Sequence, residues 1–320
     1  MMLPGTPGRW IVSVLVVVLA VTVGVVVTVR VDDTPDRAAV KAPPPVALEQ
    51  LRPLPQDAKD DRPAFYDNGS GCQVEDGDPV PVVCTSGDKT ADRTIMLVGD
   101  SKIAQWETAY SDLGWAGGWR VDTVTKSACP FADVEVTDDG EVRDDCRDWG
   151  RAALREVLAA KPDVVVTSQR ADAALLADGT ARTSGEMIRG LHAYWQQLLD
   201  AGISVVVHLD NPFPTTHPVY RCVEENPHDV GRCAFRLDVG VEASAAPVLR
   251  EAAETLPGVR IVDMAPTICP DDGWCPAVIG DVLVYRAGSH LTRTFTVSVE
   301  RQLGRELAAA TGGRFAATPR

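Results

Sequence analysis

Short apolar segments rich in β-branched residues recur along the chain from residue 93 onward, and each is bounded by glycine or polar residues. Segments of this length and composition predict buried strands. The predicted strands are residues 93–99, 119–125, 163–167, 204–209 and 259–263, with a short extended piece at 282–285.

The stretches between these strands carry apolar residues at helical spacing. The first predicted helix begins at Ser101 and places Ile103, Trp106 and Tyr110 on one face. Strands that alternate with helices predict a parallel, doubly wound α/β sheet with right-handed crossovers. The remaining predicted helices are residues 146–160, 187–201, 241–255 and 292–310, and a small hairpin is expected around 138–140.

The N-terminal part of the chain has a different pattern. Residues 10–29 are an apolar run without a charge, preceded by Arg9. Such a run is long enough to cross a bilayer and longer than the apolar region of a typical cleaved signal. Because a basic residue precedes it and acids follow it, we expect a cytoplasmic N-terminus at 1–9 and a retained single-pass anchor at 10–29. A cleaved signal is the alternative.

After the predicted anchor the composition shifts to Pro, Asp, Ala and Lys, with Pro43, Pro44 and Pro45 in succession. Proline-rich polar segments of this kind are semi-extended linkers. The expected organisation is therefore a linker at 30–63, an extracytoplasmic globular domain at 64–313 and a C-terminal tail at 314–320.

Composition and charge narrow the possible functions. The hydrophobic content of 45% is enough for a substantial core. The net charge of −14 and the isoelectric point near 4.8 argue against a nucleic-acid surface, because there is no basic excess to neutralise phosphates.

Eight cysteines fall into pairs that are close in sequence. This spacing suggests four small disulfide-closed loops in an oxidising compartment, although many connectivities are possible. The alternative is a zinc site formed by His217, Cys222, His228 and Cys233, which lack the tight CxxC spacing of structural zinc sites. The expected pairs are Cys72–Cys84, Cys129–Cys146, Cys222–Cys233 and Cys269–Cys275.

The candidate chemistry lies at the end of the first predicted strand, where Gly99, Asp100 and Ser101 follow one another. Parallel α/β sheets keep their ligand crevice at this edge, so Ser101 is a candidate nucleophile, with a helix N-cap as the alternative role. His290 lies in a loop before the last predicted helix and is the candidate base. The other histidines, at 192, 208, 217 and 228, are expected to be structural or solvated.

In order and spacing, these motifs resemble those of the SGNH/GDSL hydrolases. The closer resemblance is to the extracytoplasmic SGNH domains fused to membrane acyltransferase-3 proteins that O-acylate cell-surface glycans. It implies a flavodoxin-like three-layer α/β/α fold, Ser101 as nucleophile, His290 as general base, and no metal or cofactor. The resemblance rests on residues 97–106, 125–130, 146–165, 210–212 and 275–292.

The chain departs from the family pattern at the third member of the triad. The family usually has an aspartate three residues before the histidine, and this chain has Ala287. Loss of the acid leaves the histidine tautomer unsupported. A backbone carbonyl can replace it, Asp281 can approach instead, or the domain is catalytically weak.

The oxyanion donors also depart from the pattern. The resemblance implies donors from the backbone of Ser101, from Ala128 in place of a glycine, and from Gln169 in place of an asparagine. Lys102 follows the serine, and we expect it either to pair with Asp100, to attract an anionic substrate, or to lie solvated on the surface.

These expectations combine into a membrane-anchored serine esterase or O-acyltransferase that acts on acyl groups of a cell-envelope glycan or glycolipid. The alternative is a non-catalytic SGNH module that binds glycan or docks to a separate acyltransferase-3 membrane protein. The rich use of Ala, Val, Asp and Arg, together with this resemblance, suggests an actinobacterial source.

Overall fold

The computed structural model describes residues 47–66, 70–138, 140–216, 218–270 and 273–315. The predicted cytoplasmic N-terminus, the anchor at 10–29 and most of the predicted tail lie outside these ranges. Within them, the structure contains no helix that combines the length and the apolarity needed to span a membrane.

A central sheet of mostly parallel strands organises the described part of the chain. In chain order the strands are β1 (Gln73–Val74), β2 (Cys84–Gly87), β3 (Thr94–Gly99), β4 (Arg120–Lys126), β5 (Thr137–Asp138), β6 (Glu141–Val142), β7 (Val164–Ser168), β8 (Ala174–Leu175), β9 (Arg182–Thr183), β10 (Ser204–His208), β11 (Phe235–Arg236), β12 (Arg260–Val262), β13 (Trp274–Cys275), β14 (Val278–Ile279) and β15 (Val282–Leu283). In the central sheet, neighbouring strands in the order β1-β4-β3-β7-β10-β12 are parallel, and β2 pairs antiparallel with β4. From β4 to β12 this is the 2-1-3-4-5 order of a doubly wound sheet.

Helices cover both faces of the sheet. Alternate residues of β3 point to opposite sides, so Ile95 and Leu97 belong to one hydrophobic cluster and Met96 and Val98 to the other. This explains why the strands are apolar throughout, as parallel strands buried on both faces are. The helices are α1 (Ser101–Ala104), α2 (Glu107–Gly117), α3 (Asp144–Ala160), α4 (Ser184–Asp200), α5 (Val219–Glu225), α6 (Leu237–Glu242), α7 (Ala246–Thr255), α8 (Ala265–Ile268), α9 (Arg293–Ser298) and α10 (Glu300–Ala310).

Two helices predicted as continuous are each interrupted. The segment 241–255 is divided between α6 and α7, because Pro247 lacks an N–H and stands in the first turn of α7. The segment 292–310 is divided at Val299. There Thr296 and Ser298 donate side-chain hydrogen bonds to carbonyls three residues back, which competes with the helical pattern.

The packed domain begins before the boundary expected at residue 64. Leu51 and Ala58, which fall in the predicted linker, are buried in the same hydrophobic cluster as β3. Arg52 forms an ion pair with Asp281 at 2.8 Å on the surface. At the other end Phe315, in the predicted tail, is buried against Trp119.

All eight cysteines form disulfides, and each bond joins two cysteines that are consecutive among the cysteines of the chain. The bonds are the expected ones, Cys72–Cys84, Cys129–Cys146, Cys222–Cys233 and Cys269–Cys275. The bond between Cys72 and Cys84 joins β2 to the start of β1, both of which pair with β4. Because Cys222 and Cys233 are bonded to each other, they offer no thiolates for the alternative zinc site. His217 lies outside the described residues.

Candidate active site

The turn from β3 into α1 places Ser101 at the carboxyl edge of the sheet. Gly99 has a φ of 148° and lies so close to β7 that an added Cβ would stand 2.3 Å from the Ser168 carbonyl oxygen. Only glycine fits this position. Asp100 then caps α1, accepting a hydrogen bond from the Lys102 N–H at 2.8 Å.

Ser101 and His290 are joined directly, although 189 positions separate them. The Oγ of Ser101 lies 2.8 Å from the Nε2 of His290. The other ring nitrogen, Nδ1, lies 3.2 Å from the Ala287 carbonyl oxygen. Because a carbonyl can only accept, Nδ1 carries the ring proton and Nε2 is free to accept the serine proton. The geometry is that of a nucleophile, a base and an orienting acceptor.

A backbone carbonyl thus occupies the place of the expected triad acid. Asp281, the other acid considered, is bound to Arg52 on the surface. The loop that carries the carbonyl is itself fixed, since Arg286 N–H donates to the His290 carbonyl at 2.9 Å and His290 N–H donates to the Ala287 carbonyl at 3.1 Å.

The surroundings of His290 keep its ring neutral. Burial lowers the pKa of His290 well below its ordinary value, and the positive charges of Lys102, Arg286 and Arg170 lower it further. The Ala287 carbonyl acts in the opposite direction. A neutral imidazole is the form that can accept a proton from serine.

Asp100 holds together two loops at the sheet edge. It is fully buried, and its second oxygen accepts a hydrogen bond from the Arg170 N–H, just after β7, at 2.8 Å. Burial raises the pKa of Asp100 to about 7, against the opposing effect of its two backbone hydrogen bonds. Its role in the structure is to order the turn that carries Ser101.

Lys102 is buried, and its partner is Asp210 instead of Asp100. Its Nζ lies 2.8 Å from Asp210 Oδ1, with both side chains almost completely buried. The same Nζ donates to Asn211 Oδ1 at 2.8 Å and to the carbonyl and hydroxyl oxygens of Ser289, each at 3.0 Å. The residue after the nucleophile is therefore tied to the residue before the base.

Asn211 and Gln105 extend this network, and neither was identified from the sequence as a site residue. Asn211 donates from Nδ2 to the Ser289 carbonyl at 2.7 Å and accepts from Gln105 Nε2 at 3.0 Å. Gln105 in turn accepts from the Leu291 N–H at 2.8 Å. The segment 210–212 was one of the motifs that carried the family resemblance, but nothing in its sequence shows what it contacts.

The three candidate oxyanion donors differ in backbone conformation and in whether the donor group already has a hydrogen-bond partner. Ser101 provides an N–H in the first turn of α1. Ala128 has a φ of 56°, so the alanine keeps the left-handed backbone that glycine usually supplies. Gln169 is buried, and its amide nitrogen already donates to the Ala171 carbonyl at 2.7 Å.

A cleft with a volume of about 300 Å³ opens between the loops that follow β4, β7 and β10. Ala128, Arg170 and Asp210 are among its lining residues. Because β3 lies between β4 and β7, these loops flank the turn that carries Ser101. The cleft therefore lies at the same sheet edge as the serine, although the residues that line it do not include Ser101 or His290.

Two of the other histidines have structural positions, as expected. His208 is buried in β10, with its Nδ1 at 3.0 Å from the Tyr110 hydroxyl. Burial lowers the pKa of His208 to about 3. His192 is bound through Nε2 to the Ala252 carbonyl at 2.9 Å, which links α4 to α7.

A serine–histidine pair at the carboxyl edge of a doubly wound parallel sheet is the arrangement of an α/β serine hydrolase. The chain belongs to the SGNH family: residues 71–305 match the family described as the SGNH domain fused to AT3 domains. The expected family is thereby confirmed. No curated protein matches the chain.

Solved structures match the chain at low sequence identity. The periplasmic domain of a lipopolysaccharide acetyltransferase from Salmonella ser. Paratyphi A is 14% identical, with a TM-score of 0.50 over 69% of this chain and 85% of that one. A GDSL-like lipase from Bacteroides thetaiotaomicron is 13% identical, with a TM-score of 0.40 over 68% of this chain and 89% of that one. At these identities the likeness concerns the fold alone.

Proposed function

We propose that this protein is a membrane-anchored, extracytoplasmic serine esterase or O-acyltransferase that acts on acyl groups of a cell-envelope glycan or glycolipid. The observation that carries the proposal is the 2.8 Å contact between Ser101 Oγ and His290 Nε2, together with the carbonyl acceptor on Nδ1. The family of the chain, and an acetyltransferase domain of the same fold, support an acyl ester as the bond that reacts.

In the proposed reaction Ser101 Oγ attacks the ester carbonyl carbon while His290 Nε2 takes the serine proton. The negative charge that develops on the carbonyl oxygen is stabilised by the Ser101 N–H and by backbone donors near Ala128. The C–O bond to the alcohol then breaks, and His290 returns the proton to the departing oxygen. This leaves an acyl group on Ser101.

The second half of the reaction decides between hydrolysis and transfer. A hydroxyl group attacks the acyl carbon, His290 takes its proton, and the bond to Ser101 Oγ breaks with return of that proton to serine. When the hydroxyl is water, the product is a carboxylic acid. When it is a sugar hydroxyl, the acyl group is transferred. A separate acyltransferase-3 membrane protein is the proposed partner that supplies acyl groups.

The disulfides and the predicted anchor support the proposed location. Four disulfides in one domain form and persist in an oxidising compartment. The apolar run at 10–29 precedes the domain in the sequence and has the length of a membrane span. The domain is therefore proposed to work outside the cytoplasm on the surface side of the membrane.

The test is a comparison of Ser101→Ala with the unaltered chain. We expect the full chain to hydrolyse 4-nitrophenyl acetate and to be labelled by a fluorophosphonate probe, and Ser101→Ala to lose both properties because the nucleophile is gone. Ser184→Ala is the matched control, since Ser184 also begins a helix but is exposed. Turnover that survives Ser101→Ala would contradict the proposal.

The second candidate function is the non-catalytic module, and Ala287 is the observation that favours it. A carbonyl orients the imidazole but does not bring the negative charge that an aspartate would place beside it. If the unaltered chain is neither labelled nor active while it binds acylated glycan, this second function is the correct one.

A further inference from the structure

Arg286 is a buried arginine beside the serine–histidine pair that lacks an acidic partner among the described residues. The residue is only 8% exposed, and its Nε has no hydrogen-bond partner within the described part of the chain. The backbone N–H of Arg286 donates to the His290 carbonyl at 2.9 Å, so the arginine lies in the same loop as the candidate base. A polar group that is removed from water without a new partner is costly, and it calls for an explanation such as a bound water, ion or ligand.

One contact of Arg286 connects it to the serine. Its Cζ lies 5.8 Å from the centre of the Tyr66 ring, and the Tyr66 hydroxyl donates to the Ser101 carbonyl at 3.3 Å. A cation–π contact engages the face of the guanidinium but leaves the N–H donors on its edge without acceptors. The guanidinium of Arg62 lies 5.9 Å from the centre of the same ring.

Among the described residues, the acids near Arg286 do not pair with it. The negative charges of Asp60 and Asp61 raise the pKa of Arg286. The Asp61 carboxylate, however, accepts a hydrogen bond from the Thr294 N–H at 2.9 Å near the start of α9. No ion pair joins either acid to Arg286 within the residues that the structure describes. Burial lowers the pKa of Arg286, yet an arginine keeps its charge at neutral pH. The site therefore holds a permanent positive charge.

This charge contrasts with the protein as a whole. The chain carries a net charge of −14. Around His290, however, the positive charges of Lys102, Arg286 and Arg170 all lower the pKa of the imidazole. Lys102 is paired with Asp210, and Arg170 is exposed and lines the cleft. Because Lys102 is neutralised by Asp210, the cation that has no ion pair with a described residue is Arg286, and such a charge attracts anions.

We infer that the ester recognised at this site carries an anionic group, a carboxylate or a phosphate, and that Arg286 binds that group. A planar guanidinium with free N–H donors suits either anion, because both accept two parallel hydrogen bonds. The inference rests on the proposed function, since it names the class of substrate for the same site.

The experiment compares three pairs of esters, each made of a charged ester and a neutral counterpart. The 4-nitrophenyl monoester of adipic acid and its methyl ester place the carboxylate on the acyl side. The second pair, 4-acetoxybenzoate and its methyl ester, places it on the alcohol side. The third, 4-acetoxyphenyl phosphate and its dimethyl ester, replaces the carboxylate by phosphate. The ratio of kcat/KM within each pair is the readout.

We expect the unaltered chain to prefer the charged ester of at least one pair by about tenfold or more, as a charged hydrogen bond provides. Arg286→Met should reduce that ratio to about one, because the cation and its donors are gone. Arg286→Lys, which keeps the charge but not the planar donors, should give an intermediate ratio. Arg305→Met is the matched control, an exposed arginine on α10 that should leave the ratio unchanged.

Binding to the Ser101→Ala chain provides a readout that does not need turnover. Calorimetry with adipate and with phenyl phosphate should show that one of them binds and that Arg286→Met abolishes the binding. If neutral esters are hydrolysed but no pair shows a preference and neither anion binds, the inference is wrong and the proposed function stands. If an anion binds through Arg286 and no ester reacts, the anion site stands and the esterase proposal fails.

Discussion

Replacement of Lys102 by methionine removes the cation at the centre of the buried network. In the structure Lys102 Nζ reaches Asp210, Asn211 and Ser289 within 3.0 Å, and its side chain is fully buried. Methionine has a similar length and fills the space, so the change tests the charge and the hydrogen bonds more than the packing.

The size of the stability loss follows from the state in which the substitution leaves Asp210. Asp210 remains buried without a compensating charge, and removal of one partner from a buried pair typically costs about 3–5 kcal/mol of unfolding free energy. The cost depends on pH. Burial already raises the pKa of Asp210, and without Lys102 the folded-state pKa rises further above the unfolded value of about 3.9. The folded variant then binds more protons, so its stability loss relative to the unaltered chain grows as pH rises above the pKa that Asp210 has beside Lys102.

The assay is chemical denaturation at pH 5 and pH 8, with kcat measured on 4-nitrophenyl acetate. We expect Lys102→Met to lose more stability at pH 8 than at pH 5, and to lose activity because Ser289, next to His290, loses the two hydrogen bonds that Lys102 donates to it. The double variant Lys102→Met with Asp210→Asn should recover a large part of the stability, since the uncompensated charge is gone. Lys89→Met, at an exposed lysine, is the control. A loss below about 1 kcal/mol at pH 8, or no recovery in the double variant, would refute the reasoning.

Two further predictions concern His290 and Ala128. Because the pKa of His290 lies well below 6.5, its neutral form persists at mildly acidic pH, and kcat/KM should stay level through pH 6.5 and fall only below it; a decline centred at 6.5 or above in the pH–rate profile would contradict this. Ala128→Gly should raise the unfolding free energy by about 0.5–1 kcal/mol, because relief of the left-handed alanine exceeds the extra flexibility of glycine in the unfolded chain. Denaturation measures it, and Ala173→Gly, at a residue without a positive φ, should be destabilising instead.

The sheet was predictable from local sequence, whereas the proposed pair of Ser101 and His290 was identified from the order of motifs along the chain. Residues 163–167 and 204–209 are valine-rich, and a strand buried on both faces requires that pattern whatever its neighbours are. The break at Pro247 had a local signal that the prediction did not use, since proline begins helices more readily than it continues them. The break at Val299 depends on side-chain hydrogen bonds that compete with the helix, so its signal is weaker.

The network around Lys102 was not predictable, for a physical reason. Its partners lie 109 and 187 positions away in the sequence, and a lysine one residue after a helix start is usually solvated. Only the return of the loop at 286–291 over the sheet edge buries it. Local sequence patterns indicate which apolar residues are buried, but they do not show which polar side chains form hydrogen bonds with one another in the folded protein.

The missing acid at Ala287 and the excess of positive charge bear on the same chemical step. In the proposed reaction His290 becomes a cation when it takes the serine proton, and the Ala287 carbonyl supports the tautomer without supplying a counter-charge. Lys102, Arg286 and Arg170 oppose that cation but favour the negative oxygen formed at the ester in the same step. A neutral ester leaves this imbalance in place. An anionic group bound at Arg286 would offset one of the positive charges near His290, so a charged substrate would restore part of what an aspartate at 287 would have supplied.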